Sequence, residues 1–364
     1  MKIAKAEAIP LSIPFSHGGR PAGWGGQAWR ALDMVLIRVE TESGLVGWGE
    51  AFSYNCRRAV QAAFEDMVVP VVLGRDARDI ASLMLELQKG LHLFGRYGIT
   101  IFALSGLDIA LWDLAGKAAG LPLCRLLGGP VRSEIPGYAS LFKYNDPEVV
   151  AERTRAARAE GYTHVKLHET REPEVAAARR AAGDGVPLMV DTNCPWSPAE
   201  AREMALRLKP YDLHWLEEPI FPPENFRALA RLQAEVGIPL AAGENACTAV
   251  QFQEMFAAGA VSYAQPSVTK VGGVSEFRKV AALAESQGVA LMPHAPYFGP
   301  GFLATLQLLA ALPGSGLAEW LYVEREACLY GAAIAPARGL FRLPEGPGLG
   351  AEPDADVIKD YRVP

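Results

Sequence analysis

Three carboxylates recur at near-even spacing through the middle of the chain: Asp191 in PLMVDTN, Glu217 in LHWLEEP and Glu244 in IPLAAGEN. Each closes a short β-rich run, which places it at the C-terminal end of a strand. Packed together without a counter-charge, three such groups would repel, and some would hold protons at neutral pH. Hard oxygen ligands of this kind select Mg²⁺, with Mn²⁺ as the alternative, over Zn²⁺, which prefers sulfur and imidazole. Glu217 is chosen over its neighbour Glu218 because only one of two adjacent strand residues faces inward and Pro219 opens the loop. Cys194 and Cys247 each follow a ligand by three residues and are read as small loop residues rather than zinc ligands.

Other polar side chains fall into the same register. From His168 through Asp191, Glu217, Glu244, Ser267, His294 and Glu319 the intervals are 23, 26, 27, 23, 27 and 25 residues. That is about one βα unit of a barrel in which ~250 residues make eight units. Any one of these residues alone is an ordinary loop side chain; in register they converge on one mouth. Lys166 and His168 lie two apart, on one face of a strand. A lysine beside a metal can stabilise a developing oxyanion, and an imidazole with an unperturbed pKa near ~6.5 is a base suited to neutral pH. His294 comes from a strand across the ring. Two such groups can exchange a proton from either face of a substrate or divide acid and base work.

The elements that must position these groups alternate. β-rich runs at 134–140, 163–168, 187–193, 213–219, 238–245, 261–267, 289–295 and 316–320 are separated by Ala-, Arg- and Glu-rich helical stretches. Eight parallel βα units describe a TIM-type barrel. Before them, DMVLIRVE, the turn at 41–44 and LVGWGEA read as a hairpin, followed by helices over 56–73, 77–90 and 101–119. The loop at 16–29, with five glycines and two tryptophans, reads as a cover over the site that brings His17 and Trp24 to the substrate. The expected divisions are a cap over 1–128, a barrel over 129–325 and a proline-punctuated segment over 326–364 that returns to the cap.

At 364 residues the chain exceeds one ordinary core. The net charge of −6 and the lack of a long basic run exclude nucleic acid and anionic membranes as partners. No run of ~18 apolar residues and no leader pattern occur, so no membrane span or export is expected. Five widely spaced cysteines fit free thiols in a reducing cytoplasm.

The stretches GLVGWGEA, SGLDIALWDLAGKAAGLPL with LLGG, VKLH, VDTN, WLEEP, AGEN, KVGGV and MPH occur in this order. In that order and spacing the chain resembles the mandelate racemase and muconate-lactonizing family of the enolase superfamily. The resemblance implies an α+β cap over a modified (β/α)₇β barrel, Mg²⁺ on Asp191, Glu217 and Glu244, and abstraction of the proton α to a substrate carboxylate to give a metal-stabilised enediolate. It implies that Lys166 neutralises the enediolate, that Glu319 hydrogen-bonds the substrate carboxylate, and that Asn193 and Ser140 touch substrate. Two positions depart from the pattern. His168 stands where a second lysine is usual, and Ser267 where an aspartate usually partners the histidine at 294. A hydroxyl supplies no charge to orient that ring. The leading expectation is therefore dehydration of a sugar acid or related 2-hydroxy acid, with His168 taking the α proton and His294 protonating the departing hydroxyl. The alternatives are a racemase or epimerase of an α-substituted carboxylate and a vestigial binding barrel. A small-molecule carboxylate as partner and assembly into a homo-oligomer are expected.

Overall fold

The computed structural model describes residues 1–20, 23, 28–314 and 316–364. The chain opens with strand β1 (Ile3–Ser16), which pairs antiparallel with β2 (Ala31–Thr41), and β2 in turn with β3 (Val46–Ala51). The hairpin matches the sequence reading; β1 does not appear in it. Pro10 and Pro14 remove two amide donors and weaken the strand signal, yet the ladder with β2 holds from Ile3 to Pro14.

Eight parallel strands follow: β4 (Glu134–Ser140), β5 (Val165–Leu167), β6 (Leu188–Asp191), β7 (Leu213–Glu217), β8 (Leu240–Ala242), β9 (Tyr263–Ala264), β10 (Ala290–Leu291) and β11 (Ala318–Leu321). Their ladder runs in chain order from β4 to β10, and β11 pairs with β4 on its other edge. Every intervening crossover contains a helix. Local signals set where these begin: Ser197 and Glu200 form a reciprocal capping box before Pro198–Leu208, with Pro198 in the first turn. Asp146 caps Pro147–Ala159 by accepting from Glu148 N and Val149 N. After the barrel, β12 (Glu324–Arg325) pairs with β1, β13 (Leu340–Arg342) with β4, and Arg362 bridges to Leu11.

The helix Ile99–Ala119 joins the two layers. Among the described residues it alone is long and apolar enough to cross a bilayer, but its apolar window is 78% buried within the fold. Ile101, Leu104, Leu107 and Leu111 are essentially sealed, each such burial contributing roughly 1.5–3 kcal/mol. Glycines let the helix lie close on β3: a Cβ on Gly49 would stand 1.9 Å from the Gly106 carbonyl oxygen, and one on Gly47 2.3 Å from that of Ala110. Two aspartates of the same helix hold its surroundings in place. Asp108 accepts from Ser275 N at 2.9 Å and Ser275 Oγ at 2.6 Å. Asp113 accepts from Trp48 N at 2.9 Å and Leu349 N at 2.7 Å. The motifs GWGEA, LDIALWD and KVGGV thus describe one contact between cap and barrel. Glu50 completes it, accepting from Gly301 N at 2.8 Å at the start of Pro300–Ala311.

Candidate active site

Parallel pairing brings strand ends of the barrel to one side. Asp191 and Glu217 are register partners across β6 and β7, and Glu244 follows β8 by two residues. One oxygen from each of the three lies within 4.8 Å of the others. Asp191 and Glu217 are sealed, and the Glu244 side chain is 14% exposed. An all-oxygen, mostly buried set of this kind fits a divalent cation such as Mg²⁺.

The electrostatics point the same way. Glu218 lies against the set as a fourth carboxylate, its two oxygens taken by Asn245 Nδ2 at 3.1 and 2.9 Å. Burial, reinforced by Asp191, pushes the Glu217 carboxyl well above the usual range, and burial with Glu244 beside it does the same to Glu218. Asp191 goes the other way, down to about 2: burial opposes this, but Lys166 and His168 beside it prevail. Burial likewise opposes the lowered value of Glu244, which His294 and Lys270 bring about. A cluster that can ionise only in part is one that a cation would complete.

Lys166, fully buried in the middle of β5, donates to Glu319 Oε1 at 2.8 Å, Glu217 Oε1 at 2.9 Å and Asp191 Oδ2 at 3.4 Å. Burial acts to discharge it, but the three carboxylates hold its pKa well above the ordinary lysine value. Glu319 on β11 accepts on its other oxygen from Ala295 N at 2.9 Å. Ser140 is sealed and gives its hydroxyl to Glu319 Oε1 at 2.8 Å. Its reach is therefore to Glu319 rather than to open space.

The two imidazoles each turn one nitrogen to a different member of this set. His168 donates from Nδ1 to the Leu141 carbonyl at 2.6 Å and turns Nε2 to Asp191 Oδ2 at 3.3 Å. Burial lowers the affinity of His168 for a proton, yet Asp191 leaves its pKa raised overall. His294 turns Nε2 to Glu244 Oε2 at 2.7 Å. Behind it, Nδ1 meets the Tyr297 hydroxyl at 3.2 Å, and Tyr297 in turn meets Ser267 Oγ. Position 267 therefore reaches His294 through Tyr297.

The remaining expected residues are Asn193, His17 and Trp24. Asn193 has a positive φ of 53°, and its amide donates to Asp191 Oδ1 at 2.9 Å, fixing that carboxylate from the loop. His17 is buried and stacks on Phe142 at 4.3 Å between centroids, in an arc with Phe15, Trp29 and Tyr54. Trp24 lies outside the described residues. Cys194 gives its thiol to Glu218 Oε2 at 3.6 Å and Cys247 to the Lys270 carbonyl at 3.4 Å, and all five cysteines are free.

Two family patterns cover almost the whole chain. Residues 21–128 match the mandelate racemase / muconate lactonizing enzyme N-terminal domain, and residues 148–357 match the enolase C-terminal domain-like family. The chain belongs to the mandelate racemase / muconate lactonizing enzyme family. Among its relatives, a D-galactarolactone cycloisomerase of Agrobacterium fabrum is 33% identical over 91% of each chain. An arabinonate dehydratase of Saccharolobus solfataricus is 32% identical over 93% of this chain and 92% of the relative. A racemase from Streptomyces coelicolor with bound magnesium superposes with a TM-score of 0.89 at 30% identity, covering 99% of this chain and all of that one. The cap and barrel seen here are those of enolase-superfamily structures, and the relatives are enzymes.

Three site residues escaped the sequence reading. Trp215 donates from Nε1 to Glu217 Oε2 at 2.8 Å; lying two residues before Glu217 on one strand face, it was within reach of the period-two argument. Lys270 reaches Glu244 Oε1 at 3.4 Å with its ammonium 4.7 Å above the Phe52 ring. Its motif KVGGV served in the sequence only as a landmark. Tyr297 lies in the loop after His294, and no periodicity marks it.

Proposed function

We propose that this family member uses a divalent cation, Mg²⁺ before Mn²⁺, to remove the proton α to the carboxylate of a sugar acid and then expel the oxygen on the β carbon. The observation that carries this reading is the pair of imidazole Nε2 atoms set against two different members of one carboxylate cluster, 3.3 Å from Asp191 and 2.7 Å from Glu244. Held by Asp191, Glu217 and Glu244, a divalent cation would draw off the charge that develops on the substrate carboxylate.

The chain's own residues divide the remaining work. The Leu141 carbonyl can only accept, so Nδ1 of His168 keeps its proton and Nε2 is the nitrogen that takes the substrate's α proton. Lys166 supplies fixed positive charge beside the growing oxyanion, held by three carboxylates so that nothing must reorganise. Glu319, anchored by Ser140 and Ala295 N, lines the side of the cluster facing Lys166. His294 presents Nε2 to the departing oxygen.

That oxygen decides the product class. From an acyclic acid it leaves as water, as in the arabinonate and galactonate dehydratases among the relatives. When it belongs to a ring, the same bond cleavage opens the ring without loss of water, as fits the names of the D-galactarolactone and 3,6-anhydro-α-L-galactonate cycloisomerases. The sequence reading foresaw only the first. Incubation with Mg²⁺ and a panel of acyclic, lactone and anhydro sugar acids, followed by proton NMR, tests the proposal. A 2-keto-3-deoxy acid is the expected product; a substrate converted only to its epimer would overturn it.

A further inference from the structure

Away from the metal cluster, three sealed polar atoms gather just past the end of β1. His17 Nδ1, Tyr144 Oη and Arg153 Nε are buried and make no hydrogen bond among the described residues. They surround one dipeptide, Gly18–Gly19. We propose that these groups form a binding site for a small oxyanion, a carboxylate or a phosphate, held by the Arg153 guanidinium with His17 and Tyr144 as hydrogen-bond donors.

The three side chains arrive from separate elements. Arg153 lies on the helix Pro147–Ala159, Tyr144 on the loop after β4, and His17 directly after β1. A Cβ on Gly18 would stand 1.4 Å from Arg153 Nη2, and one on Gly19 would stand 2.6 Å from Tyr144 Cδ1 and 3.2 Å from His17 Nδ1. Only a Gly–Gly pair lets a guanidinium, a phenol and an imidazole close on the same backbone, which at Gly18 has a φ of +76°. The His17 ring is held from behind. It stacks on Phe142 at 4.3 Å and tilts against Tyr144 at 5.7 Å between centroids.

The chemistry of the three groups says what would complete them. Buried donors without an acceptor are costly, and such orphans mark a place for water, an ion or a ligand. Water would satisfy the phenol and the imidazole but leave the guanidinium charge unbalanced, whereas an oxyanion satisfies all three. The neighbouring carboxylates are otherwise engaged. Glu169 accepts from Tyr144 N at 2.7 Å and Asn145 N at 3.2 Å, Glu160 accepts from the Tyr322 hydroxyl, and Glu152 is exposed. Burial and Arg153 together lower the His17 pKa, and burial raises the Tyr144 phenol to about 12 against the pull of Arg153. At neutral pH each therefore carries one hydrogen to give, Tyr144 from its hydroxyl and His17 from Nδ1 in the tautomer that an anion selects.

The site adjoins the catalytic wall. Phe142, on which His17 stacks, follows Leu141, whose carbonyl fixes His168. The oxyanion is thus either a free ion or an acid group at the far end of the substrate. The second source rests on the elimination proposed above; the site itself does not.

Selenate, a sulfate mimic visible by its anomalous scattering, locates the site in crystals of the Mg²⁺-loaded protein. The expected peak lies within hydrogen-bond reach of Arg153 Nε, His17 Nδ1 and Tyr144 Oη. In titration calorimetry with inorganic sulfate, Arg153→Met should weaken binding by about 10–100-fold, the cost of losing a charge-assisted partner, while Mg²⁺ affinity stays within about twofold. Gly18→Ala, which displaces the guanidinium, repeats the test should Arg153→Met not fold. Bound sulfate should also raise the pH at which the His17 ring titrates by NMR, because a nearby anion favours the charged ring. An absent peak, or sulfate affinity indifferent to both variants, overturns the inference. A peak without calorimetric binding marks an adventitious ion only and overturns it as well. Kinetics separate the two sources: an acid group of the substrate makes Arg153→Met raise KM for a sugar diacid or phosphorylated sugar acid but not for a monoacid, and a free ion leaves their ratio unchanged. Failure to turn over any sugar acid would count against the elimination and leave the sulfate arms to decide this site.

Discussion

Lys166 Nζ lies 2.8 Å from Glu319 Oε1, a bridge between strands β5 and β11 that flank β4. Ser140, on the strand between them, donates to the same Glu319 oxygen at 2.8 Å. Three strands adjacent in space, the last of them far from the other two in sequence, thus fix one ammonium against one carboxylate. This cation belongs as much to the folding of the cluster as to its chemistry, because without it the sealed carboxylates lose their nearest counter-charge.

Replacing Lys166 by methionine should therefore act twice. Removing one partner of a buried pair costs about 3–5 kcal/mol, so thermal unfolding should begin at lower temperature, with partial recovery on adding Mg²⁺. Turnover at saturating Mg²⁺ should fall by about 10²–10³-fold through loss of oxyanion stabilisation. Calorimetric scans with and without Mg²⁺, set beside steady-state rates, separate the two effects.

Chelation should abolish turnover, and Mg²⁺ or Mn²⁺ should restore it. Asp191→Asn, Glu217→Gln and Glu244→Gln should each weaken Mg²⁺ binding in titration calorimetry, while Glu218→Gln, whose oxygens are already held by Asn245, should weaken it least. A larger loss for Glu218→Gln than for Glu217→Gln would mean that the wrong member of the Glu217–Glu218 pair has been assigned.

Trp215 holds the second oxygen of Glu217. Trp215→Phe keeps the packing and removes the donor, so Mg²⁺ affinity should drop by about 10–100-fold, the usual effect of losing a group that orients a metal ligand. The rate at saturating Mg²⁺ should change little. A lowered rate with unchanged affinity would place Trp215 in the chemistry instead.

Stability should decline as pH rises from about 5 to 8. Burial raises Glu50 to about 8, against the single Gly301 amide, and raises Asp108 to about 7 despite its Ser275 hydrogen bonds. In the unfolded chain both ionise near pH 4, so between that value and the raised one the folded state alone keeps the proton. The contribution of these two groups is full below pH 4 and falls as pH climbs, by at most ~1.4 kcal/mol per pH unit per group. Glu50→Gln, still able to accept from Gly301, should flatten the slope in denaturant titrations at pH 5, 6.5 and 8.

The sequence alone determined the barrel and which three carboxylates it brings together. These follow from a period: one polar residue at the end of each βα unit of about 25 residues, a spacing that survives whatever packs around it. It also located the two rings, His168 and His294, because both end strands. What it could not determine is how each ring is oriented, since that depends on groups that touch only after folding. Leu141 behind His168 offers nothing but its carbonyl, and Tyr297 behind His294 sits in an aperiodic loop. Ser267 could be seen as the loss of an aspartate but not as one end of a line through Tyr297. The same holds for β1, masked by its prolines until β2 pairs with it, and for Glu50, whose partner Gly301 is 251 residues away. Local periodicity encodes where a side chain stands along its strand; which atom it faces across the mouth is set by the tertiary contact between elements, and there the chemistry of the two sides diverges.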